Sequence, residues 1–245
     1  MICQQLLVFL RTYIMNSRDN LIFNLKNSIK QYPKLFYFLN HTLGTFVGKS
    51  AKQSIAHLPE GSKIINVGSG ANIIRKDVIN VDYAKYPGVK VVADAHNLPF
   101  EDNSIDAVIC ESLLEHVKDP KTVISGIYRV LKPGGMVYIS APFIIPFHSS
   151  PHDYYRWTDS GLRELLKDFQ EAELGILIGP TNALTYILRE WLALVMSFNI
   201  NTLRQFWVLF FMVLFAPINL LDHIFSRFNA AKDISHFFYY IGTKK

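Results

Sequence analysis

Three groups of residues in this 245-residue chain have the types and spacing to do chemistry. The first is Gly68-Ser69-Gly70, directly after the apolar run Ile64–Val67. Without a Cβ, glycine lets a backbone turn sharply and come close to a ligand. The second is a series of acids that close the next short apolar runs: Asp82 after Val78–Val81, Asp94 after Val89–Ala93 and Glu111 after Ile105–Cys110. A carboxylate at such a tip can accept hydrogen bonds from both hydroxyls of a ribose. The third is Pro142–Thr158, which gathers His148, His152, Asp153, Tyr154, Tyr155, Arg156 and Trp157. An imidazole titrates near neutrality and can take a proton from a hydroxyl nucleophile. His152 is the first choice for that base and His148 the second, with Asp153 orienting a histidine and Arg156 holding an anionic group. The competing reading is a rigid, proline-rich loop in which Asp153 and Arg156 simply pair.

The elements that must carry these groups follow from the run lengths. Four short, β-branched runs bounded by Gly, Pro and Asp, and a fifth over Lys132–Pro142, predict buried strands of a parallel sheet. In such a sheet ligands sit beyond the carboxyl ends of the strands, where all three groups fall. Pro120–Leu131 predicts a helix with Val123, Ile127, Val130 and Leu131 on one face, ended by a turn at Gly134-Gly135. Thr158 predicts the cap of a second helix, Asp159–Phe169. Between Asp82 and Val89 there is room only for Tyr83–Gly88, so a connecting helix is missing there. That opens one edge of a nucleoside pocket, which Tyr83 or Tyr86 could cover.

The order Asn66-Val-Gly-Ser-Gly70, Asn80-Val-Asp82, Ala93-Asp94-Ala-His-Asn-Leu-Pro-Phe100, Leu114-Glu-His-Val117 and Tyr128-Arg-Val-Leu-Lys-Pro-Gly-Gly135 resembles class I S-adenosylmethionine-dependent methyltransferases of the type 11 kind. The likeness runs from about Lys63 to Asp168. It implies a Rossmann-like, doubly wound α/β sheet, mostly parallel with an antiparallel last strand, and S-adenosylmethionine as cofactor. It implies a cofactor-binding set of Asn66, Gly68, Ser69, Gly70, Asp82, Tyr83, Asp94, Ala95, Leu98 and Glu111. Within that set, Gly68 and Gly70 would admit the methionine part and Asp82 would hold the ribose. Asp94 with the Ala95 amide would read the adenine edge, and Leu98 would pack on its face. Glu111 would stand where the substrate pocket opens. His116, Tyr154, Arg156 and Trp157 would face the substrate. The run Pro151–Thr158 resembles a substrate-side loop of bacterial methyltransferases associated with glycan or envelope pathways. Two positions depart from the family: Asn66 stands where an acid is usual, and Asn72 replaces a third glycine, a substitution that left-handed tolerance makes bearable.

The rest of the chain is greasy. Half of the residues are apolar and 18% charged, against a usual quarter, which suits a protein that touches a membrane. Met1–Met15 is too short to span, and residues 20–57 predict one or two helices broken at Pro33 that act as lid and membrane contact. Glu173–Ile178 and Phe237–Thr243 predict the last two strands. Between them Ala183–Phe198 and Phe206–Leu221 predict apolar helices, each short of the ~20 residues of a span. Both flanking strands belong to one sheet, so the chain must return to the side it left. A hairpin lying in one leaflet, with Trp191 and Trp207 at the interface, avoids burying Arg189 and Glu190 in hydrocarbon. The expected organisation is an N-terminal helical segment over 1–60, a methyltransferase domain over 61–182 and 233–245, and an apolar insertion over 183–232.

Two cysteines fit a reducing cytosol, the +5 charge is scattered rather than gathered into a nucleic-acid motif, and no metal site is expected. The expected function is a cytoplasmic, peripherally membrane-associated, S-adenosylmethionine-dependent methyltransferase that O-methylates a glycan, lipid-linked or envelope-related acceptor; homodimerisation stays open. The alternatives are a quinone or small isoprenoid acceptor, or a cofactor-binding scaffold without turnover.

Overall fold

The structure, a computed structural model, describes residues 45–147 and 152–245. The N-terminal expectation up to residue 44 and His148 lie outside the described residues. The described chain forms two compact units, one over 45–183 with 221–245 and the other over 184–220.

The larger unit is a seven-stranded sheet. Its strands are β1 (Ile64–Val67), β2 (Ile79–Asp82), β3 (Val89–Val92), β4 (Ile105–Glu111), β5 (Leu131–Pro142), β6 (Phe169–Ile178) and β7 (Phe237–Lys244). They lie in the order β3-β2-β1-β4-β5-β7-β6. β1 to β5 are parallel, and β7 runs antiparallel between β5 and β6. This is the Rossmann-like arrangement, with the order reversing at β1 so that the tips of β1 and β4 stand side by side.

Side chains alternate across the sheet. Ile65, Val67, Val108, Cys110, Val137 and Ile139 form one apolar face. It is covered by Val123 and Ile127 of helix α2 (Pro120–Val130) and by Leu162 of α3 (Asp159–Leu165). Ile64, Ala107, Ile109, Met136 and Tyr138 form the other, packed by Ala51 and Ile55 from the short α1 (Ala51–Ser54) and the residue after it. Asp119 caps α2 by accepting from the Thr122 amide, and Thr158 caps α3 by accepting from the Gly161 amide.

Three boundaries differ from the sequence reading. Gly134-Gly135 do not end the first helix; they form an irregularity inside β5, where pairing jumps from Ile105↔Leu131 to Ala107↔Met136. The helix has already stopped at Val130, because Leu131 turns to extended backbone before Pro133. α3 ends at Leu165, and β6 starts at Phe169 rather than Glu173, since its pairing with β7 reaches back to Lys244.

The smaller unit holds most of helix α4 (Pro180–Met196) and all of α5 (Asn201–Phe215). They are joined by a tight turn in which Phe198 and Asn199 take left-handed backbone. α5 stops before Ala216-Pro217, as a proline without an N–H requires. Between 184 and 220 only Arg189, Glu190 and Arg204 are charged, and they associate: both arginines donate to the Glu190 carboxylate at 3.2 Å. Arg189 also lies over the Tyr186 ring at 3.9 Å. Among the described residues no single helix is long and apolar enough to cross a membrane.

Candidate active site

The glycine turn is built from the strand tips. Gly68 (φ +71°) and Gly70 (φ +53°) both take left-handed backbone, which the Cβ of another residue would oppose. The Gly68 and Ser69 amides donate to the Val81 carbonyl at 2.9 and 3.2 Å. Asp82 completes the turn: Oδ2 accepts from the Gly70 amide (2.7 Å) and Oδ1 from the Ala84 amide (2.9 Å). Its carboxylate thus bridges the β1 turn and the start of the β2 loop, with further lone pairs available to a diol. Asn72 is not among the left-handed residues, so the turn closes without the tolerance expected of it.

Beneath the turn lies a ladder of asparagines. Asn66 and Asn80 are register partners on β1 and β2, and both are buried. Asn66 Nδ2 donates to Asn80 Oδ1 (3.4 Å), and Asn80 Nδ2 donates to the Asn72 carbonyl (3.0 Å). At 2% exposure Asn66 props the turn from below instead of presenting a group to a ligand, which corrects the direct contact expected of it. Leu98 is corrected too: also 2% exposed, it belongs to the core and leaves no face for a base. Ser69 is buried in the turn.

Asp94 follows β3, two residues past Val92, which pairs with Asp82. The two acids therefore end neighbouring strands. Asp94 Oδ1 accepts from the His96 amide (2.9 Å) and meets His96 Nδ1 (2.7 Å). Those hydrogen bonds, the backbone one first, hold its carboxyl below the usual range and keep it ionised. Its side chain is half exposed and Ala95 beside it is partly so, so both remain open to an adenine edge. Tyr83 is 80% exposed and covers nothing in this structure.

Glu111 ends β4 opposite Ser140 and is partly exposed, with Oε2 at 3.5 Å from Asn72 Nδ2. Burial of the carboxylate among apolar neighbours pushes its pKa up to about 7. Ser112 after it takes left-handed backbone (φ 50°), its amide tied to the Ser140 carbonyl (3.1 Å).

The loops after β4 and β5 meet at a second cluster. His116 Nδ1 donates to the His152 carbonyl, and His116 Nε2 lies 3.8 Å from Glu115 Oε1. The Tyr154 amide donates to the Glu115 carbonyl (2.7 Å), and the Trp157 amide to that of Pro142 (2.8 Å). Asp153 and Arg156 form a two-pronged pair, with Nη2 to Oδ2 at 2.6 Å, and Arg156 also donates to the Ile145 and Pro146 carbonyls. The expected division of labour, Asp153 for a histidine and Arg156 for a substrate anion, gives way to this pair: each group takes the other as it locks the loop. His152 is exposed, with its ring 5.5 Å from that of Tyr154. Trp157 stacks on Tyr155 and both line a groove of about 580 Å³ between α2 and α3, bordered by Lys118 and Lys121. None of the groove's lining residues belongs to the glycine turn.

Sequence reasoning assigned no role to Glu115, which is fully buried and has its pKa pushed up to about 7, by desolvation first and then by the Asp153 charge. A lone acid inside the apolar run Leu113–Val117 was the available signal.

This geometry meets its relatives here. Residues 67–139 match the family model described as methyltransferase domain. The chain carries a class I S-adenosylmethionine-dependent methyltransferase domain. The chain is 32% identical over 113 residues to a probable S-adenosylmethionine-dependent methyltransferase of Mycolicibacterium smegmatis, covering 39% of this chain and 44% of that one. It is 36% identical over 94 residues to the demethylmenaquinone methyltransferase of Streptomyces avermitilis (35% and 41%). It is 32% identical over 105 residues to a ubiquinone biosynthesis O-methyltransferase of Pseudomonas putida (33% and 44%). The chain spans less than half the length of these curated relatives.

Among solved structures, the Haemonchus contortus phosphoethanolamine N-methyltransferase 2 in complex with S-adenosylmethionine superposes with TM-score 0.52 at 19% identity, over 85% of this chain and 56% of that one. The [4+2]-cyclase SpnF superposes with TM-score 0.52 at 15% identity, over 88% and 95%. These two share the methyltransferase domain's fold, and the cyclase shows that the fold alone does not name a reaction.

The residues present fit the cofactor. The turn has no side chain at its two glycines, Asp82 offers a fixed carboxylate beside it, and Asp94 offers an ionised one at the next strand.

Proposed function

We propose that this protein transfers the methyl of S-adenosylmethionine to an oxygen of a lipid-linked, glycan-bearing or envelope-related acceptor, working at a membrane surface. The observation that carries the reading is the apolar arm beside a methyltransferase sheet. A helix on a globular surface turns its polar face outward. α5 instead exposes Phe206, Phe210, Val213 and Leu214, while its opposite side, Val208 and Phe211, is apolar as well. α4 exposes Leu184, Leu188, Trp191 and Val195 at helical spacing, and at the tip Phe198 is 82% exposed. Apolar surface of this extent marks a docking surface, and lipid can cover both helices and the tip at once. The mutual pairing of Arg189, Glu190 and Arg204 lowers the cost of bringing those charges to the headgroup boundary. The net charge of +5 favours an anionic leaflet.

Bound cofactor would supply an electrophilic methyl on a sulfonium. The chain's part is to align the nucleophile, keep water away and move one proton. Asp82 and the glycine turn hold the adenosyl part, and Asp94 reads the base. His152 takes the acceptor's hydroxyl proton, carried on a loop that the Asp153–Arg156 pair and His116 fix to the tip of β4. His152→Ala should lower turnover by roughly a hundredfold, the scale of a lost general base, while S-adenosylhomocysteine affinity stays within twofold. Unchanged turnover on the true acceptor removes His152 from the reaction.

A quinone acceptor is the second reading, supported by the likeness to demethylmenaquinone and ubiquinone methyltransferases; it too is lipid-borne. Incubating the protein with tritiated S-adenosylmethionine and separated membrane lipid fractions distinguishes the two by which fraction takes label. Flotation with vesicles of phosphatidylcholine and phosphatidylglycerol tests the arm. The wild type should float, and a Phe198→Asp, Val213→Asp variant should stay in the dense fraction with its cofactor binding intact. A wild type that stays behind, and dimerises through the arm, defeats the membrane reading.

A further inference from the structure

S-adenosylmethionine carries two cationic centres, the sulfonium and the ammonium of its amino-acid arm, and the arm must lie along the glycine turn if the ribose is on Asp82. A carboxylate beside the turn is the natural partner for that ammonium. The acids near the strand tips are not equally placed to provide it. Asp82 spends one oxygen on the Gly70 amide and the other on the Ala84 amide. Asp94 serves His96 at the tip of β3, on the base side. Glu115 is wholly inside. Position 66 offers only a buried, neutral amide engaged with Asn80.

Glu111 differs from all of these. β4 pairs with β1, Cys110 opposite Val67, so the next residue on β4 emerges level with Gly68. Its Oε2 is within 3.5 Å of Asn72, at the far end of the turn, and this long contact is its hydrogen bond among the described residues. The chain beyond it is bent toward the turn. Ser112 adopts a left-handed conformation that non-glycine residues take only under constraint. Leu113 then packs so tightly on the turn that a Cβ at Gly68 would lie 2.8 Å from its Cδ1. The loop therefore closes one wall of the space above the glycines, with a partly exposed carboxylate at its rim.

We propose that Glu111 binds the ammonium of the cofactor's methionine arm, making it the specificity-determining residue for an amino-acid-bearing nucleoside over a bare one. The proposal rests on the methyltransferase reading and deepens it. A carboxyl whose ionisation burial opposes is one that gains most from receiving a cation.

Two ligands separate the possibilities by titration calorimetry. S-adenosylhomocysteine carries the ammonium; 5′-methylthioadenosine keeps the ribose, base and sulfur but lacks the arm. Glu111→Gln, which preserves shape and removes charge, should weaken S-adenosylhomocysteine at least tenfold and change methylthioadenosine by less than twofold. Glu111→Asp, a charge on a shorter stem, should recover part of the loss. Equal weakening of both ligands would mean that the substitution distorts the turn, and overturns the proposal. Unaltered S-adenosylhomocysteine binding overturns it as well, leaving the methyltransferase reading untouched. Wild-type protein that binds neither ligand overturns both together.

Discussion

Asp82→Ala should weaken S-adenosylhomocysteine binding by two orders of magnitude or more while the domain stays folded. The carboxylate has two jobs at once. In the empty protein it accepts from the Gly70 and Ala84 amides at 2.7 and 2.9 Å, so its removal leaves the turn without the anchor that fixes its left-handed glycines. In the loaded protein it would also accept from the ribose hydroxyls. Hydrogen bonds to a charged acceptor contribute about 1.5–3 kcal/mol each, and every 1.4 kcal/mol is tenfold in affinity. Two such bonds to the ligand already reach the hundredfold loss before the slackened turn is counted. Asp82→Asn keeps one acceptor oxygen and should fall between. Gly68→Ala offers an independent approach to the same result. It demands φ of +71° from an alanine and drives its Cβ to 2.8 Å from Leu113 Cδ1. Calorimetry on variants with wild-type circular dichroism is the measurement; an Asp82→Ala protein binding within threefold of wild type would show that the ribose lies elsewhere.

Asp82 could be found in the sequence because its position is set by a local rule: it closes a short β-branched run, and such runs end at the ligand edge of a parallel sheet. The same rule located Asp94 and Glu111, and the order of the first five strands came with it. Residues whose roles depend on what packs against them were less legible. Leu98 sits in a motif that suggests an exposed apolar face, yet tertiary packing buries it in the core. Asn66 looked like a lost carboxylate, and only the register of β1 against β2 shows that it pairs with Asn80 to support the turn. Asp153 and Arg156 are three residues apart, and composition alone left open whether they would pair or serve a substrate; the loop geometry brings them into a fork. The apolar arm was legible as helices but not in its ends. Pro180 starts α4 earlier than the apolar pattern does, because the helix takes its cap from residues distant in sequence.

That cap carries the second large effect. Asp222→Ala should destabilise the protein by about 3 kcal/mol, the scale of a buried, charge-assisted helix cap left empty. Asp222 is fully buried and lies some forty positions after the helix it serves. Its Oδ1 accepts from the Thr181 amide (2.7 Å), and its Oδ2 from the Asn182 amide (3.0 Å) and side chain (3.4 Å). α4 has no acid of its own in the first turn, so these orphan amides and the positive end of the helix dipole depend on this carboxylate. Gly179 makes the approach possible: a Cβ there would lie 2.5 Å from Asp222 Cγ. The contact ties the point where the apolar arm leaves the sheet to the point where the chain comes back. It therefore supplies in one residue what the topology requires, a segment that departs and returns on the same side. Asp222→Asn retains an acceptor but loses the charge, and should cost roughly half as much. Gly179→Ala should destabilise in the same direction by displacing the carboxylate. Denaturant unfolding monitored by circular dichroism measures all three. Trypsin cleavage within 184–220, at Arg189 or Arg204, should accelerate in Asp222→Ala before global unfolding, as expected if the clamp holds the arm at its base. An Asp222→Ala protein within 0.5 kcal/mol of wild type would mean that the helix start is secured by other contacts.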